Sequence, residues 1–200
     1  MSNAQQRESR NNLFPIFLKP ERLQLLIVGG GNAGSEKLRF LLKSSPTARV
    51  TLVAPEVSEE ITTLAASHPN VTLLLRAFSP DDLKGKDVVI IATENPALNR
   101  AIREQAKELK VLANVADTPH LCDFYLGSIV TRGDLKIAIS TNGRSPTFAR
   151  RFRELLEESL PDELPQLLKS LHTLRDRLKV DFSQKVKILN ALTLNLISKE

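Results

Sequence analysis

The chain has one cysteine, Cys122, so no intramolecular disulfide can form, and a reducing cytoplasm is the expected compartment. Aromatic residues make up 4% of it, with no tryptophan and a single tyrosine, Tyr125. Surfaces that bind single-stranded nucleic acid stack bases on aromatic platforms, so a nucleic-acid partner is not expected. No apolar run reaches the roughly 18 residues of a membrane helix, and residues 1–12 are polar with no apolar signal core, so no membrane association is expected. The three histidines, His68, His120 and His172, lie far apart in sequence and have only one cysteine to join them. That is too few ligands at the wrong spacings for a preformed zinc site, and no metal site is expected. His120 and Cys122 are read as local packing. A Tyr-x-x-x-Lys pair is also missing, because position 129 is Ile129, which excludes the short-chain dehydrogenase arrangement. There is no Gly-x-Ser-x-Gly elbow.

What is present is an ordinary globular composition, 42% apolar and 26% charged over 200 residues. A net charge of +5 favours an anionic partner. An acidic metabolite, nucleic acid and plain solubility are all compatible with it. The 23 acidic residues are interspersed with the basic ones, which weakens the nucleic-acid option further.

The chain is organised around residues 23–42, LQLLIVGGGNAGSEKLRFLL. An apolar run, Leu25 to Val28, meets three glycines. Ala33, Leu38, Leu41 and Leu42 then recur at helical spacing. Gly29, Gly31 and Gly34 fit G-x-G-x-x-G between a strand and a helix, the context a dinucleotide fingerprint needs. The first glycine permits the tight turn, the second a close approach of backbone to pyrophosphate, and the third close helix–strand packing. The N–H groups at the helix start then face the phosphates.

Further strands are expected at residues 48–53, 71–75, 87–92 and 111–115, with helices at 58–67 and 96–109. Alternating strands and helices predict an α/β, Rossmann-type doubly wound parallel sheet. Glu56 lies 22 residues beyond Gly34, near the distance at which an acidic residue holds the adenosine ribose. A surface glutamate in the first turn of the next helix explains it equally well. No arginine follows this strand immediately, which favours NAD over NADP. Thr93 follows the fourth strand at the end where open α/β sheets bind ligands. Four pairs, Ser79-Pro80, Asn95-Pro96, Thr118-Pro119 and Ser145-Pro146, read as N-cap followed by proline at the first helical position.

After residue 116 the pattern changes. Residues 127–130 and 135–140 predict a hairpin around Arg132-Gly133-Asp134, followed by a helix over 146–159 and a long helical tail from Pro161. Asp117 ends the fifth strand, where cofactor chemistry would occur. It is a candidate catalytic acid, and a helix N-cap is the competing reading; Thr118-Pro119 already supplies that cap. Arg144, Arg150, Arg151 and Arg153 cluster at a helix start, where cations oppose the macrodipole. They make sense there if they meet carboxylates or phosphates. For any one of them a solvated basic face is the simpler reading.

Gly29-Gly30-Gly31 after LLIV, then NVAD at 114–117, LCDF at 121–124 and IAISTNGRSP at 137–146 resemble the precorrin-2 dehydrogenase family, which includes the N-terminal part of siroheme synthase. The likeness runs from about Leu13 to Leu160 in the same order and spacing. It implies NAD-dependent dehydrogenation of precorrin-2, a substrate with eight carboxylates, to sirohydrochlorin. In some members ferrous iron is inserted at the same site. It implies a homodimer built largely from the region after the Rossmann unit. The family's catalytic aspartate falls on Asp117, and its hydroxyl position on Thr141 beside Ser140, with Asn142, Arg144 and Ser145 completing the substrate-binding stretch. Its NAD contacts fall on Asn32, Ala33, Pro55 and Glu56, alongside Gly29, Gly31, Gly34 and Thr93. The family usually has Ala where Gly34 stands, a change expected to leave the turn intact, and it often has Pro where Gly127 stands and Gly where Asn142 stands. No methyltransferase stretch follows, so methylation of uroporphyrinogen is not expected of this chain.

The expected organisation is a disordered segment over 1–12, an NAD-binding domain over 13–116, a dimerisation hairpin over 117–145 and a helical domain over 146–200. The alternative function is an NAD-binding sensory or regulatory module without turnover. It explains the glycines and the helical tail but not the joint presence of NVAD and ISTNGRSP.

Overall fold

The computed structural model describes residues 11–194. Of the segment expected to be disordered, residues 1–12, residues 1–10 lie outside them. Five parallel strands, β1 (Gln24–Val28), β2 (Arg49–Ala54), β3 (Val71–Leu75), β4 (Val88–Ile91) and β5 (Leu112–Val115), form one sheet in the order β3-β2-β1-β4-β5. Helices α1 (Asn32–Ser44), α2 (Glu59–Ser67) and α3 (Pro96–Glu108) connect them. The expected doubly wound sheet is therefore present.

Strand alternation sorts the core into two layers. Leu25 and Ile27 of β1 join Leu52, Ile90, Leu38 and Leu42 of α1 and Ile61 of α2 on one face. Leu26 and Val28 join Val53, Val89, Ile91, and Ile102 and Ala106 of α3 on the other. All four residues of β4 are buried, as a central parallel strand requires.

The chain divides into two compact units. The first takes the described part of Met1–Gly127 together with Ser140–Ser145. The second takes Ser128–Ile139 and the described part of Pro146–Glu200. The division expected near residue 116 instead falls after Gly127, for a physical reason. Leu121 and Cys122 pack against one core layer of the sheet, and Phe124 and Leu126 against the other. Residues 117–127 thus belong to the sheet unit.

The second unit contains the antiparallel hairpin β6 (Ser128–Arg132) and β7 (Leu135–Ile139), then α4 (Pro146–Ser159), α5 (Leu164–Arg177) and α6 (Phe182–Thr193). Arg132 pairs with Leu135 across a turn in which Gly133 has φ +57°. The single helical tail expected from Pro161 is broken. Leu178 is extended, and Asp181 starts a new helix by accepting the Gln184 N–H at 2.9 Å. Of the four cap-and-proline pairs, Asn95 caps α3 through Ala97 and Leu98 N–H, and α4 begins at Pro146. The other two open single 3-10 turns, Pro80–Leu83 and Pro119–Leu121. Thr118 caps nothing; its hydroxyl donates to the Ala116 carbonyl at 3.1 Å.

Candidate dinucleotide and substrate site

Pairing registers align the strand ends: Val28 stands opposite Val53 and Ile91, and Ile91 opposite Val115. The residues that follow, Gly29, Ala54, Ala92 and Ala116, therefore lie level along one edge of the sheet. A cavity of about 820 Å³ opens there. Gly29, Gly31, Asn32 and Ala33 line it, as do Pro55 and Glu56 after β2, Thr93 after β4 and Asp117 after β5. The structure thus brings together the expected cofactor-binding residues, except Gly34, and the expected catalytic acid.

The glycine turn is held by close approach. Gly29 has φ +123°, and a Cβ there would overlap the Ala92 carbonyl. A Cβ on Gly34 would overlap the Gly29 carbonyl, so Gly34 packs behind the turn and does not line the cavity. Alanine at this position, expected to be harmless, would require the turn to open. Gly31 differs, because an added Cβ meets nothing within 4 Å. It is the N-cap of α1, and no side chain among the described residues caps this helix. Unsatisfied N–H groups at a helix start, beside open space at a glycine, suit a pyrophosphate. Sequence reasoning gave Gly30 no role. Its carbonyl accepts the Ser58 N–H at 2.9 Å, and a Cβ there would strike the Glu56 carbonyl and Ala54. Gly30 thereby positions the loop that carries Pro55 and Glu56.

After β4, Thr93 is locked by a residue the sequence did not single out. Buried Asn99 donates to the Thr93 carbonyl at 2.9 Å and accepts from the Thr93 hydroxyl. After β5, Asp117 adopts φ +54°, a left-handed conformation that costs a residue with a β-carbon about 1 kcal/mol or more. The Thr118 N–H closes the turn on the Val115 carbonyl at 3.2 Å. The Asp117 carboxylate is exposed and has no hydrogen-bond partner among the described residues. Asp117 is therefore not a cap either. Arg100 of α3, also missed by sequence reasoning, lines the cavity with the acids Glu56, Glu94 and Asp117, and among the described residues it is the sole cation there.

Residues 16–128 match the family described as "Putative NAD(P)-binding", and residues 132–159 the family described as "Sirohaem biosynthesis protein central". The chain is 37% identical over 169 residues to siroheme synthase 3 of Aeromonas hydrophila, covering 84% of this chain and 36% of that protein. It is 34% identical over 168 residues to the siroheme synthase of Nitrosomonas europaea, with coverage of 84% and 35%. It thus spans about a third of the length of the curated relatives it matches. Among solved structures, SirC, a precorrin-2 dehydrogenase, superposes with a TM-score of 0.70 at 25% identity, over 94% of this chain and 90% of that one. The chain belongs to the NAD(P)-binding family formed by precorrin-2 dehydrogenase and the N-terminal part of siroheme synthase.

The stretch expected to bind substrate is not part of the cavity lining: Ser140, Thr141, Asn142, Arg144 and Ser145 all lie outside it. They form a turn of the same compact unit. The Ser140 hydroxyl accepts the Asn142 N–H at 3.2 Å, and the Thr141 hydroxyl accepts the Ser145 N–H at 3.1 Å. Asn142 has φ +54° and Gly143 φ +75°. Asparagine is among the few residues with a β-carbon that adopt this conformation readily, which is how it can stand where the resemblance leads one to expect glycine.

The basic cluster does meet carboxylates, but those of its own helix. Arg150 and Arg151 pair with Glu154 at 3.0 and 3.3 Å, and Arg153 pairs with Glu157 at 2.5 Å. Hydrogen bonding from Arg150 holds the Glu154 carboxyl below the usual range. Arg144 is exposed and makes no ion pair among the described residues. The reading of Cys122 as packing is consistent with its bonds. Its sulfur accepts the Val115 N–H at 3.2 Å and donates to the Val115 carbonyl at 3.3 Å, and burial pushes its pKa up. No group of three or more metal-ligating side chains occurs among the described residues. No helix among them is long and apolar enough to cross a membrane.

Proposed function

We propose that this chain catalyses the NAD-dependent dehydrogenation of precorrin-2 to sirohydrochlorin. The observation that carries the reading is a shared opening. The uncapped helix start behind Gly31 and the unpartnered carboxylate of Asp117 line one cavity. The backbone N–H groups of Asn32 and Ala33 would hold the pyrophosphate, and Glu56 would accept hydrogen bonds from the adenosine ribose hydroxyls. With Glu56 and no arginine at this loop, a 2′-phosphate would meet like charge, which favours NAD over NADP. When bound, NAD supplies the acceptor for the hydride that dehydrogenation removes.

The protein contributes the rest. A carboxylate oxygen of Asp117 accepts the proton that leaves the tetrapyrrole as the hydride departs. Thr93, locked by Asn99, gives the cavity a fixed polar wall between the glycine turn and Asp117. Arg100 offers a fork-shaped donor set to one of the substrate's carboxylates. The turn at 140–145 is assigned to further substrate contacts, and the hairpin unit to self-association as a homodimer. Iron insertion needs no protein cage, since the macrocycle supplies the nitrogens; ferrous iron would be a substrate, with Asp117 receiving the pyrrole protons.

The test is an anaerobic assay with precorrin-2 and NAD, following NADH and the tetrapyrrole spectrum, and then adding ferrous iron. Stoichiometric NADH supports the dehydrogenase. NAD binding by calorimetry with no spectral change would favour the sensory module instead. Asp117→Ala should abolish turnover and keep NAD binding; normal turnover in that variant would remove Asp117 from the mechanism.

A further inference from the structure

The LCDF stretch at 121–124 has no part in the chemistry above, yet it is bonded to the strand that ends in Asp117. β5 is the last strand of the sheet, so the outward N–H and C=O groups of Ala113 and Val115 have no strand partner. The returning chain satisfies them. The Asp123 N–H donates to the Ala113 carbonyl at 2.8 Å, and the Ala113 N–H donates back to Asp123 Oδ2 at 2.9 Å. The Cys122 sulfur serves Val115 in the same way. Asn114 Nδ2 donates to the Phe124 carbonyl at 2.9 Å. To run back along β5 the chain must reverse at once, and it does so through the left-handed Asp117.

One side chain from outside clamps this return. Arg103 of α3 donates from Nε to the Leu121 carbonyl at 2.8 Å and from Nη2 to Asp123 Oδ1 at 2.6 Å. The Asp123 carboxylate is therefore shared, with one oxygen on the strand and the other on the helix. The pair is mostly shielded from water, with side chains 14% and 30% exposed, where a charge-assisted bond is strong.

We infer that Arg103 and Asp123 are positioning residues for Asp117. Clamping the return holds the reversal, and the reversal holds the carboxylate in the cavity. The inference rests on the reading of Asp117 as the proton acceptor. A brace that served stability alone would leave turnover per folded molecule untouched.

The experiment compares Arg103→Lys, Asp123→Asn, Asp117→Asn and the double variant Arg103→Lys/Asp117→Asn, with anaerobic single-turnover and steady-state kinetics on precorrin-2 and NAD. Lysine keeps the charge, but its single ammonium cannot reproduce the Nε and Nη2 pair. Arg103→Lys is expected to lower kcat by about ten- to a hundredfold, the scale of a small displacement of a catalytic group, with NAD affinity unchanged. In the Asp117→Asn background the same substitution should cost nothing further, because its route of action is gone. If Arg103→Lys fails to fold, Asp123→Asn, equal in size, carries the same two comparisons. Wild-type kcat in Arg103→Lys alongside a disabled Asp117→Asn overturns the inference and leaves the proposed function standing. So does an equal loss in both backgrounds. Full turnover in Asp117→Asn overturns the proton-acceptor reading itself, and this inference with it.

Discussion

A β-carbon separates the roles of two glycines that look alike in the sequence. At Gly29 the atom would enter the Ala92 carbonyl at a φ of +123°; at Gly31 it would stand in open space at the mouth of the cavity. Gly29→Ala should therefore cost folding stability, about 1–3 kcal/mol from backbone strain before the overlap is counted. Thermal or urea unfolding would measure it. Gly31→Ala should unfold like the parent chain yet bind NAD at least about tenfold more weakly by calorimetry, because the backbone could no longer approach the pyrophosphate. Arg100 offers a second residue-scale contrast. As the one cation among the described residues that line the cavity, it should act on the proposed polycarboxylate substrate. Arg100→Gln is expected to raise KM for precorrin-2 about tenfold, the loss of one charge-assisted pair, with the NAD dissociation constant unchanged. The three glycine positions were legible as a motif. Arg100, Asn99 and Gly30 were not, since nothing local marks a helical arginine that happens to face a cavity, or a glycine crowded by a loop 26 residues on.

Elements were read best where chemistry is local. The strand alternations, the Asn95 cap with Pro96 behind it, and the Gly133 turn need only neighbours in sequence, and they stand where expected. Asn95→Ala should cost about 1 kcal/mol by loss of its bonds to Ala97 and Leu98 N–H, seen as a lower midpoint in thermal unfolding. The turn at Pro80–Leu83 carries a pH signature. The Arg76 guanidinium hydrogen-bonds the Asp82 carboxylate, which also accepts the Ser79 N–H, and holds the Asp82 pKa below the usual carboxylate range. A carboxyl whose pKa is lowered on folding adds stability above its unfolded value and loses it as pH falls through its folded one. Asp82→Asn should therefore lower the melting temperature at pH 7, and the gap from wild type should begin to narrow at about pH 4 and shrink further as pH falls through the lowered folded value. Arg76 is half-exposed, so the effect should be modest and reduced by salt. The reading of Thr118 failed because a cap is a hydrogen bond to a specific N–H. In that turn the backbone directs the hydroxyl to Ala116 instead.

At the scale of the molecule, the proposal is a homodimer formed through the hairpin unit. Sedimentation equilibrium should give twice the chain mass of 22.2 kDa, and a monomer at micromolar concentration would remove that assignment. By itself the sequence determined the doubly wound sheet, the glycine turn at its centre and the acid ending the fifth strand, together with the resemblance that names a chemistry. These are written in periodicity, caps and short motifs, all of them local. Only the tertiary structure decided which of these residues share a space. Gly31, Glu56, Thr93 and Asp117 meet because parallel pairing brings the ends of β1, β2, β4 and β5 level along one edge. The arginines of α4 are consumed by Glu154 and Glu157 because a helix brings residues three and four apart together. The boundary moved to Gly127 because an edge strand must satisfy its outward backbone groups, and the chain that follows Asp117 is what satisfies them.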